Sequence, residues 1–139
     1  MAVEAVASVA IDCGLRIHKA LGSGLLEGAY EAILADALVR RGLRVERQRP
    51  VPIVFEGVAV EHGFRADLIV EGLLLIELKS IERLSPAHGK QVLTYLRFLN
   101  LRVGLLMNFG APTFHEGLKR IVNGHTDTDA SPLRINLAR

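Results

Sequence analysis

The sequence predicts an α/β chain of the α+β kind, a mixed central sheet flanked by helices, with core elements in the order helix, strand, strand, strand, helix, strand. Three observations carry that prediction. Apolar residues near the N-terminus recur at three- and four-residue steps, the helical period. Between residues 43 and 80, short runs rich in Val, Ile and Leu alternate with turn residues, as in an antiparallel meander. A capped helical segment then leads into the mostly apolar run Leu101 to Phe109, which suits a central strand entering parallel to its neighbour. A length of 139 residues, half of them hydrophobic, is enough for one domain with a proper core.

Val3 to about Leu21 is the first helix, with Val6, Val9, Ala10, Cys13, Ile17 and Leu21 on one stripe. Cys13 on that stripe is read as a small buried apolar residue, and His18 beside it as packed or solvated. Gly22-Ser23-Gly24 breaks the helix. A second runs to about Arg41, where Gly42 stops it, and Tyr30, Ile33, Leu34, Ala37 and Leu38 form its expected buried face. Glu27 precedes Tyr30 by three and Leu34 by seven, which sets this acid toward the core side. A first-turn acid also complements the helix dipole and caps free N–H groups, so capping is the competing account. Glu31 and Asp36 fall elsewhere and are expected to be solvated.

A strand is expected from Leu43 to Gln48, with a boundary at Pro50-Val51-Pro52 and a short hairpin, Ile53 to Phe55 and Val58 to Val60, about Glu56-Gly57. Ser85-Pro86 opens a third helix, serine capping and proline in the first turn, and its inward residues are Val92, Leu93, Tyr95, Leu96 and Leu99. His88, Gln91 and Tyr95 share a stripe along its edge. Thr113 to about Val122 is expected to form a last amphipathic helix. From Gly124 the chain is polar and turn-rich, and residues 124–139 are expected to be a flexible tail.

Chemistry concentrates between Phe64 and Ser80. FRADLIVEGLLLIELKS reads as two strands joined near Glu71-Gly72. Folding it about Gly72 sets Asp67 opposite Glu77, and alternation puts Glu77 and Lys79 on one face while Ile76 and Leu78 point into apolar packing. Two carboxylates and an ammonium thus converge on an apolar hairpin. Side-by-side carboxylates raise one another's pKa, a conflict that a divalent cation with its preference for hard oxygen ligands removes. An ion pair between Lys79 and either acid, on a half-exposed strand face, is the plainer account.

Composition sets the bounds. Net charge is +2 and the sequence pI about 9.0, which permits an anionic partner without demanding one. The densest positive run is Arg40, Arg41, Arg44, Arg47 and Arg49, suited to phosphate contacts or equally to a solvated face at a helix end. The single cysteine excludes an internal disulfide and fits a reducing cytoplasm. The apolar N-terminal run carries Glu4 and is cut short by Asp12, so neither a signal peptide nor a membrane span is expected. His115 and His125 lack Cys or His partners at ligand spacing, which leaves zinc unsupported.

Gly24-Leu-Leu-Glu27-Gly-Ala-Tyr30 resembles the signature of the small bacterial GxxExxY proteins. Asp67 followed by Glu77-Leu78-Lys79 resembles the motif of the PD-(D/E)XK nuclease superfamily, to which they are assigned. The likeness covers roughly residues 6 to 123. It implies a restriction-endonuclease-like α-β-β-β-α-β core, one nuclease-like domain over residues 1–123, and Mg²⁺ or Mn²⁺ as cofactor. It also implies roles: Asp67 and Glu77 as metal ligands together with the Leu78 carbonyl, Glu27 as the helix acid that joins or supports the metal site, Lys79 as the catalytic lysine, and Gln91 as the polar residue of the following helix. Ala66 stands where superfamily members have proline. Tyr30 and Tyr95 fit the core as readily as catalysis.

The activity so implied is metal-dependent endonucleolytic hydrolysis of phosphodiesters, with Lys79 positioning a metal-activated water. Nucleic acid is then the partner, DNA ahead of RNA, and the apolar content is compatible with a homodimer. Two other classes stay open: a catalytically silent module that binds nucleic acid or protein on the same fold, and a structural subunit whose charges pair internally. Substrate strandedness, sequence preference and the number of metal ions are not written in the chain.

Overall fold

The computed structural model describes residues 1–124. Its elements are α1 (Val3–Leu21), α2 (Glu27–Arg40), β1 (Val45–Phe55), β2 (Val58–Val70), β3 (Leu74–Lys79), α3 (Pro86–Leu99), β4 (Val103–Asn108), α4 (Phe114–Gly117) and β5 (Leu118–Val122). The strands form one sheet in the order β1-β2-β3-β4-β5. Neighbours are antiparallel except β3 and β4, which run parallel because α3 returns the chain to the same end of the sheet. The expected succession of helix, three strands, helix and strand is therefore present as α2 to β4. No helix among the described residues is long and apolar enough to cross a membrane.

Helices cover both faces. On one, Val6, Ala10 and Cys13 of α1 and Tyr30, Leu34 and Leu38 of α2 are buried with Leu68, Leu74, Ile76, Leu78 and Phe109. On the other, Val92 and Leu96 of α3 are buried with Ile69, Leu75 and Leu106. Strand β3, buried on both faces, is accordingly a run of Leu and Ile interrupted only near its end. The stripe of α1 is buried from Val6 to Ile17, with Val9 half-buried, and only its last member, Leu21, is exposed. In α2, Ile33 is also exposed, whereas Ala35 and Glu31 are buried. The face of α2 is thus rotated from the expected one, because the helix packs against both α1 and the sheet.

Two further expectations are corrected. Pro50 does not end a strand: β1 runs through Pro50 and Pro52. As the sheet's first strand it has one unpaired edge, where a missing N–H costs no ladder bond, and a register shift between Val51 and Ile53 absorbs the irregularity. The segment Thr113 to Val122 is one helical turn followed by a strand, β5, which pairs Leu118 with Met107 through Val122 with Val103. Buried β4 would otherwise present an unpaired edge, and that requirement overrides the helical spacing of Phe114, Leu118 and Ile121. The predicted tail lies, Gly124 aside, outside the described residues, as does His125.

Turn chemistry follows the sequence. Glu56 with Gly57, and Glu71 with Gly72, have positive φ, the conformation that tight turns between twisted strands demand. Ser85 and His88 form a capping box at the start of α3, with the Ser85 N–H donating to His88 Nδ1 at 2.9 Å.

The exit of β3 is braced by Asn108 at the end of β4, only 2% exposed. Its Oδ1 accepts from the N–H groups of Ile81 (3.0 Å) and Gly110 (3.1 Å), and its Nδ2 donates to the Ile81 carbonyl (2.9 Å). A Cβ on Gly110 would stand 2.2 Å from that carbonyl oxygen, so glycine is needed for the close approach. Asn108→Ala leaves three part-buried backbone groups without this partner and should cost roughly 2–3 kcal/mol in a urea unfolding experiment. A loss below about 0.5 kcal/mol would mean that the 80–85 loop is held by other contacts.

Candidate active site

The site begins where β2 and β3 part. Their ladder runs Val70↔Leu74, Ile69↔Leu75, Leu68↔Ile76 and stops, so the next residues, Asp67 and Glu77, face each other as the hairpin register requires. Beyond this point β3 continues only with β4, through Glu77↔Leu106 to Lys79↔Asn108. The amides released by the split are taken by the two acids reciprocally. The Asp67 N–H donates to Glu77 Oε2 at 2.7 Å, and the Leu78 N–H donates to Asp67 Oδ2 at 2.9 Å. Each carboxylate thus closes the gap from the opposite strand.

The electrostatics of this lock are unfavourable for two anions. Burial, then the Asp67 charge, push the Glu77 carboxyl up to about 8, although the Asp67 amide and Lys79 oppose the rise. Asp67 is also raised, chiefly by burial, against bonds from Leu78 and Gln48 that favour its anion. Among the described residues, Lys79, half-buried at the end of β3, is the positive charge that acts on Glu27, Asp67 and Glu77 alike.

Glu27 comes to this cluster through the loop before α2. The buried Tyr30 hydroxyl donates to the Gly22 carbonyl and accepts from the Leu25 N–H at 3.2 Å, while its ring stacks on Phe109 with centroids 4.5 Å apart. Ser80 Oγ donates to the Leu25 carbonyl at 2.6 Å, which ties this loop to the end of β3. Glu27, the first residue of α2, is half-buried, and burial raises its carboxyl while Lys79 opposes. Tyr30 is therefore a core and loop-holding residue. Tyr95 of α3 stacks on Phe64 at 3.9 Å. Burial, then the charges of Glu77 and Asp67, raise its phenol.

Two expectations change here. Glu31 is not solvated: it is 5% exposed and accepts from Arg47 Nε (3.2 Å) and Nη2 (3.1 Å) and from Gln48 Nε2. The arginine string is not a bare cationic strip, since every member has an acid partner: Arg40 with Asp36, Arg41 with Asp12, Arg44 with Glu71, Arg47 with Glu31 and Arg49 with Glu46. Gln91 is exposed, one turn before Tyr95 on α3, and its side chain makes no hydrogen bond among the described residues. Sequence reasoning missed Gln48, whose Nε2 also donates to Asp67 Oδ1 at 3.0 Å. The one signal was a neutral polar residue within an arginine run on the strand that pairs with that of Asp67.

A family model described as the PD-(D/E)XK nuclease superfamily matches residues 4–121. The chain belongs to that superfamily. No curated protein and no solved structure matches significantly. PD-(D/E)XK proteins are in general nucleases that hydrolyse phosphodiester bonds, typically with divalent metals, and the five-stranded mixed sheet with its helices agrees with their restriction-endonuclease-like fold. The donor set here fits such an ion: two hard carboxylates that remain raised despite the opposing Lys79 ammonium. Among the described residues no three His, Cys, Asp or Glu side chains stand together as a ligand group. The side chains placed to hold such an ion are those of Asp67 and Glu77, with Glu27 beside them as an electrostatic neighbour.

Proposed function

We propose that this protein is a metal-dependent endonuclease of the GxxExxY group, acting on nucleic acid, with DNA ahead of RNA, as one domain over residues 1–123 of a cytoplasmic protein. The observation that carries the reading is the reciprocal Asp67 and Glu77 lock at the split between β2 and β3, with Lys79 at its end. A set of charges this costly to bury is more readily explained by a cation and a phosphodiester than by internal pairing.

Asp67, Glu77 and the Leu78 carbonyl would hold Mg²⁺ or Mn²⁺. When bound, the ion supplies Lewis acidity to water and to the scissile phosphate. Lys79 orients the attacking water and meets negative charge developing on the phosphoryl oxygens. Glu27 maintains the negative field that attracts the cation and orders water around it. Gln91, one turn from Tyr95, is proposed to meet a substrate oxygen from α3. Arg40, Arg41, Arg44 and Arg49 make solvent-screened surface pairs that backbone phosphates can displace, while Arg47 is committed to Glu31.

The test is cleavage of single-stranded, duplex and branched DNA and RNA with Mg²⁺, Mn²⁺ or chelator, beside Lys79→Ala. Metal-dependent cutting that the variant loses is expected. Cutting that survives chelation, or that Lys79→Ala leaves intact, would overturn the assignment. Metal binding lost in Asp67→Ala, without cutting of any substrate, would favour the silent binding module.

A further inference from the structure

We propose that Gln48 is a positioning residue of this site: its side-chain amide, anchored on Glu31, holds the Asp67 carboxylate in the orientation that presents it to a divalent cation. The inference rests on the metal-dependent reading above and concerns how one ligand of that ion is held.

The backbone is the first observation. Gln48 lies inside β1 with a φ of +50°, in the left-handed region that a residue with a Cβ seldom enters. The flanking pairs Arg47↔Leu68 and Arg49↔Ala66 keep a common register, so the excursion is confined to the one residue opposite Asp67. A strand that must only pair has no use for such a conformation, and local strain of this kind concentrates at functional sites.

The side chain is the second. The amide nitrogen carries two protons, and both are used: one goes to Glu31 Oε1, the other to Asp67 Oδ1 at 3.0 Å. Ionised carboxylates accept only, so the nitrogen rather than the oxygen of the amide must face both acids. Glu31 is itself fixed. It is buried on α2 and its other oxygen takes a fork from Arg47 Nε and Nη2. A rigid chain of contacts therefore runs from α2 and Arg47 through Glu31 and Gln48 to Asp67.

The consequence falls on Asp67. Its Oδ2 is held by the Leu78 N–H at 2.9 Å and its Oδ1 by Gln48, so the plane of the carboxylate is set at both ends, and each oxygen keeps a lone pair for a cation. Ordering the ligand before the ion arrives removes a cost of binding, and hydrogen-bond partners behind metal ligands typically contribute 10–100-fold in affinity. Filling the hydrogen bonds of buried Glu31 is the purely structural alternative, and the two predict different behaviour on truncation.

The experiment uses Gln48→Gly, because glycine is at ease at this φ, with Gln48→Met as a second variant that keeps side-chain bulk. MnCl₂ alone is titrated into the full chain by calorimetry, with metal-free unfolding recorded in parallel and Asp67→Ala as reference. The expected result is an unfolding temperature within a few degrees of wild type and a Mn²⁺ Kd raised by about 10–100-fold in whichever variants are folded. A Kd within twofold of wild type, with binding still lost in Asp67→Ala, would overturn the role of Gln48 and leave the metal site standing. Wild-type protein that takes up no Mn²⁺ would overturn both readings.

Discussion

Lys79→Ala is expected to lose roughly 10²–10³-fold in the rate of metal-dependent cleavage while unfolding at nearly the wild-type temperature. The two halves of that expectation have different causes. Lys79 is half-buried and makes no direct ion pair among the described residues, so truncation removes little packing and no salt bridge. Its backbone contribution, a carbonyl accepting from the Phe109 N–H at 2.8 Å, survives substitution. The ammonium nevertheless offsets Glu27, Asp67 and Glu77 together, and in the proposed mechanism it meets the negative charge that develops on phosphorus oxygens. Single-turnover cleavage, with a thermal melt on the same sample, separates the effects. A variant as fast as wild type would remove Lys79 from the mechanism.

The metal-free protein should lose stability as pH rises from about 4.5 to about 8, and Glu77→Gln should abolish most of that loss. In the folded chain burial and Asp67 hold the Glu77 carboxyl at about 8, against 4.5 without those influences. The folded state therefore binds the proton more tightly than the unfolded one. Stability from this group is fully present below pH 4.5, declines through the interval and is gone above pH 8. The raised Asp67 carboxyl acts in the same direction. A shift of this size corresponds to roughly 5 kcal/mol at most for Glu77. Asp12 and Glu71, held low by Arg41 and Arg44, act with the opposite sign but at acid pH, below this window. In Glu77→Gln the side-chain oxygen can still accept from the Asp67 N–H without carrying charge. That variant should be the more stable protein at pH 8 in chelator, and should bind Mn²⁺ weakly if at all.

Metal binding gives the same linkage from the other side. An ion held by Glu77 must displace its proton below pH 8, so Mn²⁺ affinity should climb with pH up to about that value. Denaturant titrations from pH 5 to 9, with chelator and with Mn²⁺, should show two curves that diverge with rising pH. Parallel curves would mean that the ion does not engage Glu77.

Much of the site was legible because its geometry is local. Asp67 faces Glu77 because the turn at Glu71-Gly72 and the alternation of a strand leave no other arrangement once the apolar residues are turned inward. Glu27 could be placed on the core side from its spacing to Tyr30 and Leu34. Glu31 was misread for the same reason: helical periodicity puts it off the apolar stripe, and nothing nearby in sequence announces that Arg47 and Gln48 of β1 will close over it. The strand at Leu118–Val122 was hidden likewise, since its apolar spacing suits a helix and only the open edge of β4 decides against one.

By itself the sequence determined the first helix and its buried stripe, the hairpin turns, the cap of the third helix and the pairing of the two acids. Each of these rests on periodicity and turn chemistry within a few residues. The tertiary structure alone decided where β2 and β3 part, that five arginines would each find a carboxylate, and that Gln48 would bend out of its strand to reach Asp67. Those outcomes depend on which surfaces meet across the sheet, where burial forces every charge and every released amide to find a partner from a distant part of the chain.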